Sequence, residues 1–327
     1  MKILVTGGAG YVGSHAVRRM QESGHDIWVY DNLSTGHRES VLAGQLIEGD
    51  LSDQSHLQSV LADQAIDVVM HFAASTLVGE SVANPGKYYR NNVLGTLCLL
   101  EAMQHTGVRK LVFSSTTAVY GEPESMPIHE GLSRVPVNPY GQSKYIVEEM
   151  LSDYSKAYGF GCVALRYFNA AGAASDGSIG EDHDPESHLI PLVLQVALGQ
   201  RNDITVFGND YPTPDGTCVR DYVHVDDLSE AHELALGQLE PGTSLYLNLG
   251  SEIGTSVREV IEACRRVTGH PIPVLDGERR AGDAPILVAD SSLARKLLNW
   301  TPRFTEIEQI VQSAWKWHQA HPRGYTG

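Results

Sequence analysis

Positive charge is scarce in this chain. Against 40 Asp and Glu, the 327 residues include only 24 Lys and Arg, for a formal net charge of −16. Such a balance argues against a nucleic-acid or anionic-membrane surface, and an anionic small molecule would need local arginines to hold it. Cysteine is also sparse. Cys98, Cys162, Cys218 and Cys264 are scattered, with no Cys-x-x-Cys pair to serve zinc or redox chemistry, so buried thiols are the simplest reading. No apolar run reaches the ~18 residues needed to span a bilayer. The first apolar run ends at Gly7, too early for a signal peptide, so the expected location is cytoplasmic. There is no internal repeat and no low-complexity tract. What remains, 42% hydrophobic and 20% charged, suits an ordinary soluble globular protein long enough for two subdomains.

The N-terminus carries the first chemical signal. Lys2-Ile3-Leu4-Val5-Thr6 reads as a short buried strand, and Ser14 to Gln21 reads as a helix. Between them Gly7, Gly10 and Gly13 form Gly-x-x-Gly-x-x-Gly, a variant of the dinucleotide fingerprint. The first glycine allows a tight turn, the second lets backbone approach a pyrophosphate, and the third lets helix pack on strand. The helix N-terminus then offers N–H groups and partial positive charge to the phosphates. A second strand, Ile27 to Tyr30, ends in Asp31, which can accept hydrogen bonds from ribose hydroxyls and repel a 2′-phosphate. The expected cofactor is NAD rather than NADP.

The second signal is Tyr140-Gly141-Gln142-Ser143-Lys144. A tyrosine and a lysine four apart on a helix share a face, with β-carbons ~5–6 Å apart. An ammonium that close favours the phenolate and lowers a tyrosine pKa that is ordinarily ~10. Such a tyrosine can take a proton from an alcohol. Upstream, Thr116 follows a strand predicted over Lys110–Ser114, where its hydroxyl can point into the same crevice and hydrogen-bond a reacting oxygen. With the glycine loop, these three residues point to alcohol–ketone redox chemistry.

Strand and helix signals alternate, which predicts an α/β fold, a Rossmann-type doubly wound parallel sheet, with a smaller C-terminal α/β substrate-binding subdomain. Further strands are expected at Gln45–Glu48, Asp67–Phe72 and Cys162–Tyr167. Later strands are expected at Ile204–Phe207, Leu245–Leu249 and Ile272–Leu275, and helices at Ser256–Thr268, Ser291–Leu298 and Thr305–His318. Asp50 and Leu51 follow the third strand, where an acid can reach an adenine amine. Phe72, Ala73 and Ala74 close the fourth, where small residues let backbone lie against a cofactor. The expected division is 1–169 for the NAD domain, also receiving segments around 220–250, and 170–327 mainly for the substrate. Ala170 to His188 is Gly-, Ser- and Asp-rich and reads as a loop or lid. Within it, Glu181, Asp182, His183, Asp184 and Glu186 read as a polar loop and no metal is expected, because adjacent residues rarely converge on one ion.

These motifs resemble those of the extended short-chain dehydrogenases/reductases, and more narrowly of the UDP-glucose (UDP-galactose) 4-epimerases. Besides the glycine loop and Tyr140–Lys144, the resemblance rests on Val78-Gly79-Glu80-Ser81, Asn91-Asn92-Val93, Arg166-Tyr167-Phe168-Asn169 and Phe207-Gly208-Asn209-Asp210-Tyr211. Arg220-Asp221-Tyr222-Val223-His224-Val225 and Arg279-Arg280-Ala281-Gly282-Asp283 complete it. It implies that Thr116, Tyr140 and Lys144 are catalytic. It implies NAD contacts from Gly7, Gly10, Tyr11, Val12, Gly13, Asp31, Asn32, Asp50, Leu51, Phe72, Ala73, Ala74, Asn91 and Phe168, besides Tyr140 and Lys144. For the nucleotide-sugar it implies Thr116, Asn169, His188, Leu189, Phe207, Arg220, Arg280 and Asp283. Two arginines on an acidic protein suit a diphosphate, to which they can make forked, charge-assisted bonds.

The implied reaction is redox-neutral: proton to Tyr140, hydride to NAD, rotation of a 4-keto sugar, and hydride return to its opposite face. Thr76, His188 and Leu287 depart from residues common in that family, where lysine, asparagine and tyrosine often stand. The dehydratases of the same fold carry an Asp-Glu pair after the threonine, and the decarboxylases a glutamate. Thr117 and Ala118 can do neither job. An epimerase for another UDP-sugar (N-acetylhexosamine, arabinose or glucuronate), a net oxidoreductase and a non-catalytic dinucleotide sensor are the remaining alternatives. The resemblance also implies a homodimer through the Tyr88–His105 segment and the Tyr140 helix, whose apolar faces are broader than one sheet requires.

Overall fold

The computed structural model describes residues 1–280 and 282–326; Ala281 of the arginine-rich run lies outside the described residues. Short runs rich in Val, Ile and Leu form a parallel sheet covered on both faces, the environment in which such continuous apolar strands are stable. The strands are β1 (Lys2–Thr6), β2 (Asp26–Asp31), β3 (Gln45–Glu48), β4 (Val68–His71), β5 (Lys110–Thr116) and β6 (Gly161–Tyr167). A seventh, Ser244–Leu249, joins beside β6 in parallel register. Three short strands precede it in the chain: β7 (Asn169–Ala171), β8 (Ile204–Phe207) and β9 (Val219–His224). It is therefore β10, and the sheet order is β10-β6-β5-β4-β1-β2-β3. The order reverses between β1 and β4, and the crevice outside the carboxyl ends at such a reversal is where ligands bind in open α/β sheets.

Alternation along β1 divides the core. Ile3 and Val5 face one side with Val17 and Met20 of α1 (Tyr11–Glu22), while Leu4 faces the other with Leu57 and Leu61 of α2 (Gln54–Asp63). The chain after β4 makes two short helices, α3 (Val78–Ala83) and α4 (Pro85–Tyr88), then a π-helical turn over Tyr89–Leu94 that runs into α5 (Gly95–Thr106). Helix α6 (Pro139–Tyr158) has clear boundaries. Asn138 accepts from Gly141 N–H, proline occupies the first turn, and Gly159 ends the helix at φ 71°, the left-handed conformation glycine adopts without strain.

The second subdomain has its own core. Helices α7 (Leu189–Ala197), α9 (Val257–Thr268) and α11 (Ile307–Ala320) bury Val193, Leu194, Val260, Ile261, Ile310 and Val311 together. Ser256 and Glu259 cap α9 reciprocally, satisfying two otherwise orphaned N–H groups. Strands β11 (Gly254–Ser256), β9 and β13 (Ile286–Leu287) form a small sheet with β7 on β9, and β12 (Val274–Gly277) pairs with β8. Two helices return to the first sheet: Leu228 and Ala231 of α8 (Val225–Ala235), and Ala294 and Leu298 of α10 (Ser292–Leu298), pack in the core of β1 and β2.

Candidate active site

Two glycines of the loop are packed so tightly that they have no substitute. Gly7 has φ +75°, and a Cβ there would stand 2.4 Å from the Ala73 nitrogen. Phe72 and Ala73 both donate to the Thr6 carbonyl (2.8 and 3.0 Å), which seats the end of β4 against the loop. A Cβ on Gly13 would lie 2.2 Å from the Gly7 oxygen, whereas one on Gly10 would meet nothing nearer than 3.4 Å. The middle glycine is thus the least crowded of the three, as a cradle that lets backbone approach a phosphate requires. Helix α1 starts there with no side-chain cap and no acid in its first turn, so its N–H groups and partial positive charge are available to an anion. Asp31 ends β2 and accepts from Ala9 N–H (3.0 Å) and Leu33 N–H (2.9 Å), so the same carboxylate holds the loop in place. The residues present fit a dinucleotide.

Two neighbouring positions are already engaged. Asp50 accepts from the Ser52 hydroxyl (2.6 Å), the Ser52 N–H (2.9 Å) and the Asn32 amide (2.7 Å), which in that order hold its pKa below the usual range. Leu51 is buried against Gly95. Asn91 and Asn92 lie in the π-helical turn. Asn91 donates to Ser75 Oγ (3.2 Å), and Asn92 donates to the Ser75 carbonyl (3.0 Å) and to Ser143 Oγ (2.9 Å). Asn92, Ser75 and Ser143 therefore tie the end of β4 to the helix of Tyr140. A buried asparagine spaced fifty-one residues from its partner leaves no sequence signal for this.

Thr116, the last residue of β5, caps the turn Thr117–Tyr120. Its Oγ1 accepts from Ala118 N–H at 3.2 Å, which leaves its own proton free to donate. Gly141 rests on this turn, and a Cβ there would be 2.5 Å from the Ala118 carbonyl. That close approach brings the start of α6 beside the end of β5, where the Thr116 hydroxyl works to lower the Tyr140 pKa against its burial. Lys144 is buried one turn on. Its ammonium donates to the Ser114 carbonyl at 2.8 Å and lies 4.7 Å from the Phe113 ring centre.

A further turn along, Glu148 is fully buried. It takes two bonds from Arg166 (2.8 and 2.6 Å), one from Ser115 (2.6 Å) and one from Arg134 (3.0 Å). Behind Phe113 stacks His71, which bridges Thr6 (2.7 Å) and Thr96 (2.8 Å); burial pushes its pKa down to about 3.

The other positions that the sequence associated with the nucleotide-sugar lie on β7, β8 and β9, at the start of α7 and after β12. Arg280 lies over the Phe207 ring at 4.0 Å, and Arg220 donates to the Ala284 carbonyl at 2.8 Å, with Asp283 at 3.5 Å. Asn169 donates to the Asp221 carbonyl (2.9 Å). Leu287 pairs in register with Arg220 and packs with Phe168 against Val119 and Tyr120. His188 precedes α7, with Leu189 as its first residue.

The model described as NAD dependent epimerase/dehydratase family matches residues 3–250. The chain belongs to that family. It is similar to a UDP-glucose 4-epimerase from Halalkalibacterium halodurans, with 52% identity over 327 residues, covering 100% of this chain and 98% of the relative. A crystal structure of a UDP-glucose 4-epimerase superposes with a TM-score of 0.96 at 49% identity, covering 99% of both chains. The Brucella ovis UDP-glucose 4-epimerase, solved in complex with NAD, gives a TM-score of 0.93 at 48% identity, covering 96% of this chain and 97% of that one.

In this member of the family the structure corrects one expectation. Helical spacing suggested a lowered Tyr140 pKa; burial instead raises it, and only the Thr116 hydrogen bond works the other way. The same burial lowers Lys144 to about 7. Desolvation disfavours the charged form of both groups, and Lys144 directs its ammonium to a backbone carbonyl. In the polar loop, Glu181, His183 and Glu186 gather with His188 so that one ligand atom of each lies within 4.8 Å of the others, with Glu181 buried and His188 half-exposed, while Asp182 turns away to the backbone N–H of Tyr325 (2.9 Å).

Proposed function

We propose that the chain catalyses reversible 4-epimerisation of UDP-glucose and UDP-galactose with NAD as its resident cofactor. The reading is carried by one juxtaposition: Thr116 and the Tyr140–Lys144 pair stand at the carboxyl edge of the sheet that also carries the glycine loop and Asp31. Bound NAD supplies the acceptor and donor for a hydride at carbon 4. Tyr140 removes the proton of the 4-hydroxyl and returns it after the 4-keto sugar has turned over. The Thr116 proton orients that oxygen. Lys144, when charged, offsets the developing phenolate, and an ammonium close by lowers the cost of ionising a buried tyrosine. Arg220 and Arg280 hold the diphosphate and Phe207 stacks with the base, while Asn169, His188, Leu189 and Asp283 complete the nucleotide-sugar wall. Gripping the diphosphate alone leaves the hexose free to rotate.

The same reading assigns 1–169, with the segments around 220–250, to the NAD domain and 170–327 mainly to the substrate. It makes the enzyme a cytoplasmic homodimer, with four free cysteines that suit a reducing compartment. In support of the dimer, Leu94 is exposed, and Val93, Leu97, Ile146 and Met150 stay partly exposed on α6 and the helical segment beside it. No described helix is long and apolar enough to cross a membrane. Purified protein given UDP-galactose should form UDP-glucose without net NADH accumulation. Stoichiometric NADH release would instead indicate a dehydrogenase, and no turnover would favour a dinucleotide sensor.

A further inference from the structure

The cluster before α7 has the donors of a metal site. One ligand atom from each of Glu181, His183, Glu186 and His188 lies within 4.8 Å of the other three. Both histidines present Nδ1. That of His183 is 3.2 Å from Glu181 Oε1 and 3.7 Å from Glu186 Oε2; that of His188 is 2.5 Å from Glu181 Oε1 and 3.5 Å from Glu186 Oε1. A tetrahedral zinc with bonds of ~2.0–2.2 Å places its ligand atoms ~3.3–3.6 Å apart. Three of the four separations already fall close to that range. The fourth needs His188 to withdraw by ~1 Å to meet the same geometry, which its half-exposed ring has room to do.

Charge leads to the same place. The side chains of Glu181 and Glu186 are only 5% and 6% exposed. Among the described residues their only ion-pair partners are these two histidines. Two carboxylates removed from water need two positive charges, and one divalent ion with two neutral imidazoles provides them. An independent observation favours the ion. Nδ1 of His183 is buried and makes no hydrogen bond, although a carboxylate oxygen is 3.2 Å away. A nitrogen that close but misaligned for a proton is well placed to give its lone pair to a cation between the groups.

We propose that Glu181, His183, Glu186 and His188 bind one first-row divalent cation, zinc foremost, since a mixed imidazole–carboxylate set in four-coordinate geometry suits it. The ion pins the loop that leads into α7. The ring of Tyr11 stands edge-on to His183 at 6.2 Å, so the pinned loop lies against the glycine loop as well. This inference does not depend on the sugar that the enzyme turns over.

The test uses the untagged full chain, stripped with chelator, dialysed, and titrated with zinc chloride and cobalt chloride. Uptake of one equivalent per chain is expected, together with the intense visible bands of four-coordinate cobalt. Zinc X-ray absorption should show a first shell of nitrogen and oxygen with imidazole scattering. The double variant His183→Gln/Glu186→Gln should lose the stoichiometric uptake while keeping a cooperative melt. Equal uptake by wild type and double variant, or a pale six-coordinate cobalt spectrum from the wild type, overturns the site. Should the double variant fail to fold, the cobalt and zinc spectra of the wild type decide alone.

Discussion

The ammonium of Lys144 hydrogen-bonds the carbonyl oxygen of Ser114, 2.8 Å away. Ser114 is two residues before Thr116, so one bond ties the helix of the candidate base to the strand that carries its hydroxyl partner. The lysine thus has a positioning role besides an electrostatic one. Its burial opposes the charge that the electrostatic role needs, and Glu148, one turn further along α6, works to restore it.

If Tyr140 is the general base, Tyr140→Phe should retain NAD and bind UDP yet lose epimerisation by roughly 10²–10⁴-fold, the usual worth of a positioned base. Turnover rates, read beside co-purified cofactor and UDP affinity, separate lost chemistry from lost binding. Near wild-type turnover would sink the mechanism.

Glu148 and Arg166 are both fully enclosed and joined by two bonds. Glu148→Leu alone leaves the Arg166 charge unpaired and should cost about 3–5 kcal/mol, whereas Glu148→Leu with Arg166→Met should recover most of that loss. Urea unfolding of the two variants measures the difference. Equal destabilisation would mean that the pair does not act as a unit.

His71 makes stability depend on acid. Its pKa is about 3 in the fold against 6.5 for the free side chain, so the unfolded chain binds the extra proton first. Its contribution is intact above 6.5 and is lost as pH falls towards 3, at about 1.4 kcal/mol per pH unit. The groups facing it are the Thr6 and Thr96 hydroxyls, the Phe113 ring and the Lys144 charge; the last adds to the shift. His71→Gln should flatten the stability profile between pH 6.5 and 4, as followed by urea midpoints. An unchanged slope would assign the acid sensitivity to other groups.

Leu287 is shorter than tyrosine and has no hydroxyl to offer a sugar. It packs with Phe168 against Val119 and Tyr120, in the turn that directly follows Thr116. Detectable activity on UDP-N-acetylglucosamine is therefore expected beside the main activity, and Leu287→Tyr should depress it selectively. Contacts of this kind are worth about 1–3 kcal/mol, so a preference rather than exclusion is expected. Equal loss on both substrates would remove Leu287 as the gate.

Much of the first sheet could be read from residue order alone. The spans of β1 and β3 agree with expectation to the residue; in β1 this follows from burial, since a strand covered on both faces is apolar through its buried residues. Strand β5 runs two residues further than expected, through Ser115 and Thr116. Both are polar and buried, with Glu148 and the Ala118 N–H as partners, and hydropathy cannot anticipate a partner distant in sequence. Strand β9 and helices α7 and α8 were not foreseen as elements, since their boundaries are set by packing against segments far along the chain. Spacing placed Tyr140 and Lys144 on one face but carried no information on burial, which turned the tyrosine pKa the other way. The gathering of Glu181, His183, Glu186 and His188 was equally invisible, because proximity in sequence does not reveal which way a loop turns its side chains.

Strand β10 completes the first sheet only after the chain has left it at β6 and passed through β7, β8 and β9. During synthesis, then, the outer edge of β6 has no partner until residue 249 has emerged. That edge, Gly161–Tyr167, is apolar for most of its length, and an open strand of this kind invites pairing with another chain. A ribosome stalled in the second subdomain should therefore present a sticky, incomplete sheet, and a chaperone that shields Gly161–Tyr167 should raise the yield of folded protein.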